Sequence, residues 1–160
     1  MTILNIVPFD NALHRSQVMA VWRTSFGYDT AHNEPGLVMD KKLAMQDGLL
    51  FVAVLAGDSA ADATGEVVCT VMAGYDGHRG WLYSVAVSPA HRKLGVGRQL
   101  VAHAEQALVS LGCLKINLQL LQSNAAVAAF YASMGYAVEP RVSMGKLLHQ
   151  NIPVPDLARI

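Results

Sequence analysis

The sequence predicts an α/β (α+β) fold in which one mixed sheet is covered by helices on its faces. Three observations carry this. The first half holds strand-like segments joined by turn-rich loops, and the second half alternates strand, helix, strand, helix. The longest apolar run, Leu49 to Gly57, reads LLFVAVLAG. A bilayer span needs roughly 20 residues, so this run is expected to be a buried strand.

Thr2 to Val7 alternates and carries β-branched residues, which predicts a first strand ending at Pro8. Asp10 is placed to cap a helix in which Leu13, Val18, Val21, Trp22 and Phe26 keep helical spacing up to the break at Gly27. Asn33-Glu34-Pro35 reads as the start of a second helix, continued by Leu37 to Met45 and closed by Gly48. Leu49 to Leu55 and Glu66 to Tyr75 are predicted strands around the loop GDSAADATG. After the turn Asp76 to Gly80 comes a strand over Trp81 to Val87.

A helix then carries Val96, Leu100, Ala104, Ala107, Leu108 and Leu111, with Gly112 suited to its C′ position. Leu114 to Leu120 is a predicted strand, and a helix from Ser123 or Asn124 runs through Met134 to Gly135. Tyr136 to Val138 and Val142 to Leu148 read as a closing hairpin whose exposed edge is available to a second subunit as a homodimer. The expected organisation is a single domain over residues 1–150 with an irregular tail, 151–160, containing Pro153 and Pro155.

Composition narrows the function. Hydrophobic residues make up 52% of the 160 and charged residues 15%, which excludes a disordered chain. Lys plus Arg and Asp plus Glu are each 12, so no overall field gathers nucleic acid or an acidic membrane surface. The N-terminal stretch lacks the basic region and cleavage site of a secretory signal. Cys69 and Cys113 lie in apolar segments without C-x-x-C spacing, as expected of buried thiols in a reducing, cytoplasmic compartment. The histidines show no metal-ligand spacing.

The stretch from Val85, Ala86 and Val87 through Ser88-Pro89-Ala90-His91 to Arg92-Lys93-Leu94-Gly95-Val96-Gly97-Arg98 carries the chemistry. A buried strand ends there, the chain turns, and a helix begins within the glycine pair. The first amides of a helix lack intrahelical acceptors and sit at the positive end of its dipole. Gly95 and Gly97 let an anion approach the main chain, and His91, Arg92, Lys93 and Arg98 cluster with no acid among them. That pattern suits a pyrophosphate. Its bland counterpart is a strand-to-helix turn with a solvated basic rim. It is neither a Walker A loop nor a dinucleotide fingerprint, because the required G-K-[ST] and G-x-G-x-x-G runs are missing.

A second constellation lies further on. Asn124, Val127 and Tyr131 fall on one face of a short helix, with Phe130 beside them and Gly135-Tyr136 after it. Together, V-x-P-x-x-R-x-x-G-x-G from Val87 to Gly97 and N-x-x-V-x-x-x-Y-x-x-x-G-Y from Asn124 to Tyr136, with Val127 where the family element has Ala, resemble the GNAT acetyltransferase superfamily. The resemblance is densest over residues 80–137. GYDGHRGW and the late SMGKLL resemble a small bacterial member of that family.

The resemblance implies a mixed, mostly antiparallel sheet of about six to seven strands flanked by about four helices. It further implies that acetyl-CoA lies where two parallel strands splay near Val85 and Ser123, with the main chain of Val85 to Val87 pairing with the pantetheine arm. Amides from Arg92 to Gly97 would hold the pyrophosphate, and Asn124 would contact the pantetheine. Arg98, Val127 and Phe130 complete the implied cofactor contacts. Tyr131 would act as general acid on the departing CoA thiolate. A thiol of pKa roughly 8.5–9 leaves as an anion, and a phenol of pKa about 10 keeps its proton to meet that charge.

Plainer roles stand beside these. Asn124 is also a helix cap, Tyr131 a core aromatic, His78 a solvated turn residue, and Trp22 and Trp81 core or cleft wall. The general base is open. An alkylammonium of pKa near 10.4 must lose a proton before attack, yet Gln119, Tyr83 and Trp81 occupy the positions where relatives carry a glutamate. Glu34, Asp76, His78 or a water chain remain. The implied activity is transfer of an acetyl group to a primary amine of a small molecule or peptide. A different acyl donor, or a CoA-binding module without turnover, is the alternative. Between Phe26 and Gly48, where the family varies with acceptor, stand Tyr28, Asp29, His32, Glu34, Met39 and Asp40.

Overall fold

The computed structural model describes residues 3–27, 31–56 and 63–148. Its strands are β1 (Ile3–Pro8), β2 (Leu50–Ala56), β3 (Glu66–Tyr75), β4 (Gly80–Val87) and β5 (Ile116–Asn117). Its helices are α1 (Asn11–Phe26), α2 (Pro35–Ala44), α3 (Val96–Ser110) and α4 (Ala125–Ala132). The strands form one sheet in chain order, antiparallel from β1 to β4, with β5 parallel to β4.

Local chemistry sets the helix ends. The Asp10 carboxylate accepts from the amides of Ala12 at 2.8 Å and Leu13 at 3.0 Å, which satisfies orphan donors of α1. Glu34 does the same for Gly36 and Leu37 at the start of α2, where Pro35 has no N–H and needs no acceptor. At the end of α3, Gly112 (φ +86°) lets its amide reach Val109 O and lets Cys113 N reach Leu108 O. This Schellman closure recurs after α4, with Gly135 (φ +93°) and a bond from Tyr136 N to Tyr131 O.

β2 explains the long apolar run, since it is buried on both faces. Leu50, Val52 and Val54 pack with Val18, Trp22 and Met39 beneath α1 and α2. Phe51 and Ala53 pack with Val68, Val71, Leu82 and the Leu100, Val101, Ala104 and Leu108 stripe of α3. The helices thus flank the sheet on both sides. Among the described residues no helix is long and apolar enough to cross a membrane.

Among the described residues the sheet has five strands, fewer than the six to seven expected. The predicted strand Leu114 to Leu120 shrinks to Ile116–Asn117. Residues 137–148 form no ladder, so the closing hairpin over Tyr136 to Val138 and Val142 to Leu148 is absent. Its alternating apolar side chains find no face to bury, with Val138 94%, Val142 89% and Met144 92% exposed. Side chains alone tie the segment to β5, through Lys115 and Asn117 on Glu139 and Gln119 on Ser143. The predicted tail, most of the GDSAADATG loop, and Tyr28 and Asp29 lie outside the described residues.

Candidate active site

The parallel pairing of β4 with β5 covers only Gly80 with Ile116 and Trp81 with Asn117. Among the described residues the flank of β4 facing β5 has no strand partner from Leu82 to Val87, beyond the end of β5, and this open flank is the wedge. β4 is also bulged. Its register against β3 shifts between Thr70↔Ala86 and Met72↔Tyr83, so Ser84 and Val85 together oppose Val71. Ser84 takes φ +47°, an unusual value for a residue with a side chain. Behind the bulge the Thr70 hydroxyl donates to Ser84 O at 2.9 Å and accepts from the Trp22 indole N–H at 2.8 Å. Thr70 is fully buried and Trp22 1% exposed. Sequence reading missed this relay, because neither residue carries a signal for a bulge.

β4 runs directly into the loop before α3. Lys93 (φ +64°) and Gly95 (φ +79°) both turn left-handed, and no side chain caps the first amides of α3. Arg92 folds back so that its Nε donates to Val87 O at 3.2 Å. Arg92, Lys93 and Leu94 are exposed, whereas Val96 is buried in the core and Ala86 is 4% exposed. Val85 and Val87 are half-buried at the wedge.

The two glycines do different things. A side chain at Gly95 would meet open space, and its left-handed φ is what demands glycine. A Cβ at Gly97 would stand 3.2 Å from Val87 Cγ2 and 3.7 Å from Phe130 Cζ. Gly97 is therefore a packing glycine that seats α3 against β4 and α4. Arg98 points along α4, with its guanidinium 2.6 Å from Ser133 Oγ and 3.4 Å from Ser133 O, at the carbonyl end of that helix.

Asn124 caps α4, accepting from Val127 N at 3.4 Å, and is exposed. Val127 and Phe130 pack against the α3-side core. Tyr131 is 5% exposed, with its ring edge-on to Phe130 at 5.0 Å and Tyr136 at 5.5 Å. Burial, and then nearby Cys69, push its phenol up to about 12. The Tyr136 hydroxyl donates to Glu105 at 2.7 Å, and burial also raises its own pKa.

On the α1/α2 side of the same bulge lies a cleft of about 530 Å³ whose lining includes Trp22, Phe26, Val38, Met72, Tyr83 and Leu121. Tyr83 stacks on Trp81 at 6.5 Å. A smaller depression of about 260 Å³ sits apart from it, beside Lys42 and Asp47.

Two of the candidate bases, Glu34 and Asp76, are engaged. Glu34 caps α2. Asp76 accepts from the amides of Arg79 and His78 and from the Trp81 indole, and these bonds hold its carboxyl below the ordinary range. Tyr83 is raised by burial and then by Asp76, and Gln119 is bonded to Ser143. His78 is exposed in its turn. Glu139, which the sequence did not single out, is held below its ordinary range first by Lys115, then by Asn117, with Arg141 adding to the effect. Of the acceptor-region residues, Met39 is fully buried and Asp40 pairs with Arg15 at 2.6 Å. Among the described residues no group of three or more His, Cys, Asp or Glu could hold a metal ion.

The profile of the acetyltransferase (GNAT) family matches residues 16–136, and the chain belongs to that family. It is an acyltransferase. An acetyltransferase of Sodalis glossinidius is 37% identical over 117 residues, covering 72% of this chain and 77% of the relative. One from Pectobacterium atrosepticum is 34% identical over 116 residues, with the same coverage of 72% and 77%.

Among solved structures, aminoglycoside N-acetyltransferase AAC(6')-Iy in complex with CoA superposes with a TM-score of 0.71 at 16% identity, covering 92% of this chain and 96% of that one. Glucosamine-6-phosphate N-acetyltransferase from Arabidopsis thaliana gives 0.62 at 18% identity, covering 92% and 99%. These likenesses establish the fold.

Proposed function

We propose that this enzyme moves an acetyl group from acetyl-CoA to a primary amine by direct attack in a ternary complex. The observation that carries the reading is the unpaired flank of β4 from Leu82 to Val87, which leads straight into the uncapped amides of α3. An extended chain bearing amides can pair with that flank as a further strand would, and a diphosphate can sit on the amides. The residues therefore fit the donor. Arg92, already at the end of the open flank, supplies positive charge there, and Lys93 adds to it.

In this reading Val85 and Val87 present main-chain groups to the pantetheine arm. A strand amide near Val87 can polarise the thioester carbonyl. Asn124 uses its Oδ1 for the cap and keeps its amide N–H groups toward solvent and ligand. Tyr131 holds its proton well past neutral pH, so it can donate to a leaving thiolate and does not serve as a base. With Glu34 and Asp76 engaged, removal of the amine proton falls to a water chain or to His78, exposed in its turn.

Calorimetric titration with acetyl-CoA tests this, repeated with Arg92→Glu. Micromolar binding by the wild type that weakens at least tenfold in the variant supports it. Absence of binding by the folded wild type overturns it.

A further inference from the structure

We propose that Arg98 and Glu105 of α3 are positioning residues that clamp the chain at the end of α4 at two points and so aim the Tyr131 hydroxyl at the departing thiolate. This rests on the acetyl-transfer reading above, with Tyr131 as proton donor, and adds the residues that hold it in place. α4 has 8 residues, too few to persist as a helix without tertiary support. Tyr131 is its buried residue, and the Tyr131 carbonyl accepts from the amides of Met134 and Tyr136. Any movement of the turn after α4 is thus passed to Tyr131.

Arg98 and Glu105 stand about two turns apart on one face of α3. Arg98 Nη2 donates to Ser133 Oγ at 2.6 Å and to Ser133 O at 3.4 Å, and Ser133 Oγ donates in turn to Phe130 O at 2.6 Å. A cation at the carbonyl end of a helix also complements its dipole. The half-buried Glu105 accepts from the Tyr136 hydroxyl at 2.7 Å. Tyr136 supplies the amide that holds the Tyr131 carbonyl, and its ring stands edge-on to Tyr131 at 5.5 Å. The two ties therefore fix both ends of the turn that follows Tyr131. Arg98 lies in the first turn of α3, whose amides face the donor diphosphate in this reading. Committed to Ser133, it joins the helix that carries the acid to the helix that seats the donor. Exposed substitutions move stability little. A reacting group displaced by on the order of 1 Å loses about a hundredfold in rate, so the clamp should register in turnover.

The test uses the full chain. Acetyl-CoA affinity is measured by calorimetry, and CoA thiol release is followed with n-propylamine and with water as acceptors. Arg98→Met and Glu105→Ala should each lower kcat about tenfold, with acetyl-CoA affinity within about twofold of the wild type. Glu105→Gln keeps an acceptor for the Tyr136 hydroxyl and should retain most of the rate. In a Tyr131→Phe background neither Arg98→Met nor Glu105→Ala should lower kcat further, since both act through the lost hydroxyl. Equal losses in the two backgrounds overturn the proposal. So does acetyl-CoA affinity weakened about tenfold in Arg98→Met, as a contact to the donor phosphates would require. A loss in Tyr131→Phe without one in Arg98→Met or Glu105→Ala overturns the clamp alone. Full kcat in Tyr131→Phe, or a folded wild type that releases no thiol from acetyl-CoA, overturns the proton-donor reading and the clamp with it.

Discussion

The Thr70 hydroxyl holds the Ser84 carbonyl at 2.9 Å while receiving the Trp22 indole N–H at 2.8 Å. A helix of one face is thereby bonded through a buried strand to the bulge that shapes the wedge. Replacing Thr70 by Val keeps the shape and removes both bonds. The orphaned indole and carbonyl should destabilise the protein by about 1–3 kcal/mol in urea unfolding. Released from behind, the bulge should also lower kcat by about tenfold, since misplacement of a reacting geometry is costly. An unchanged kcat would mean that the relay serves stability alone.

The glycines of the loop separate by substitution. Gly95→Ala should cost about 1–2 kcal/mol because of its left-handed φ, and Gly95→Asn less, since Asn tolerates that region. Gly97→Ala should cost about 1–3 kcal/mol by pushing on Val87 and Phe130, and Gly97→Asn more. Opposite orders for Asn and Ala at the two sites, read in thermal unfolding, check the assignment.

Much of this was legible in the sequence where one residue determines one local feature. Asp10, Pro35, Gly112 and Gly135 marked helix ends, because caps depend on a single side chain or its absence. β3 emerged with its predicted bounds because its apolar run lies between turn residues. The bulge was hidden, since Ser84 has no turn chemistry and owes its conformation to Thr70 and Trp22, distant in sequence. The closing hairpin misled, because alternation in Val142, Met144 and Leu148 signals a strand without supplying a partner for it. Both loop glycines looked like anion contacts, and only packing distinguishes Gly97.

His14, fully buried on α1, accepts from Asp10 N at 2.9 Å through Nδ1, and its Nε2 lies 2.7 Å from Ala63 O. Those partners require a neutral ring with its proton on Nε2. His14→Leu comes near the ring's volume and strands both groups, so a loss of about 1–3 kcal/mol is expected in urea unfolding. Acetyl-CoA affinity of the folded variant should match the wild type. A variant as stable as the parent would show that water replaces both bonds.

Alkaline stability should report the buried acids. Burial raises Cys69 from 9.0 and Tyr131 from 10.0, each to about 12. Above the unfolded value the unfolded chain binds fewer protons than the native one, so stability falls with rising pH. The contribution is fully present below pH 9.0 for Cys69 and below 10.0 for Tyr131, and is lost as pH climbs toward about 12. Urea unfolding from pH 8 upward should stay flat on this account until about 9 and then decline. Cys69→Ala should remove the earliest part of the decline, and Tyr131→Phe the part that begins near 10. In turnover assays Tyr131→Phe should cut kcat by about a hundredfold with acetyl-CoA affinity kept, as expected of a lost proton donor. Full activity in that variant would place Tyr131 in the core alone.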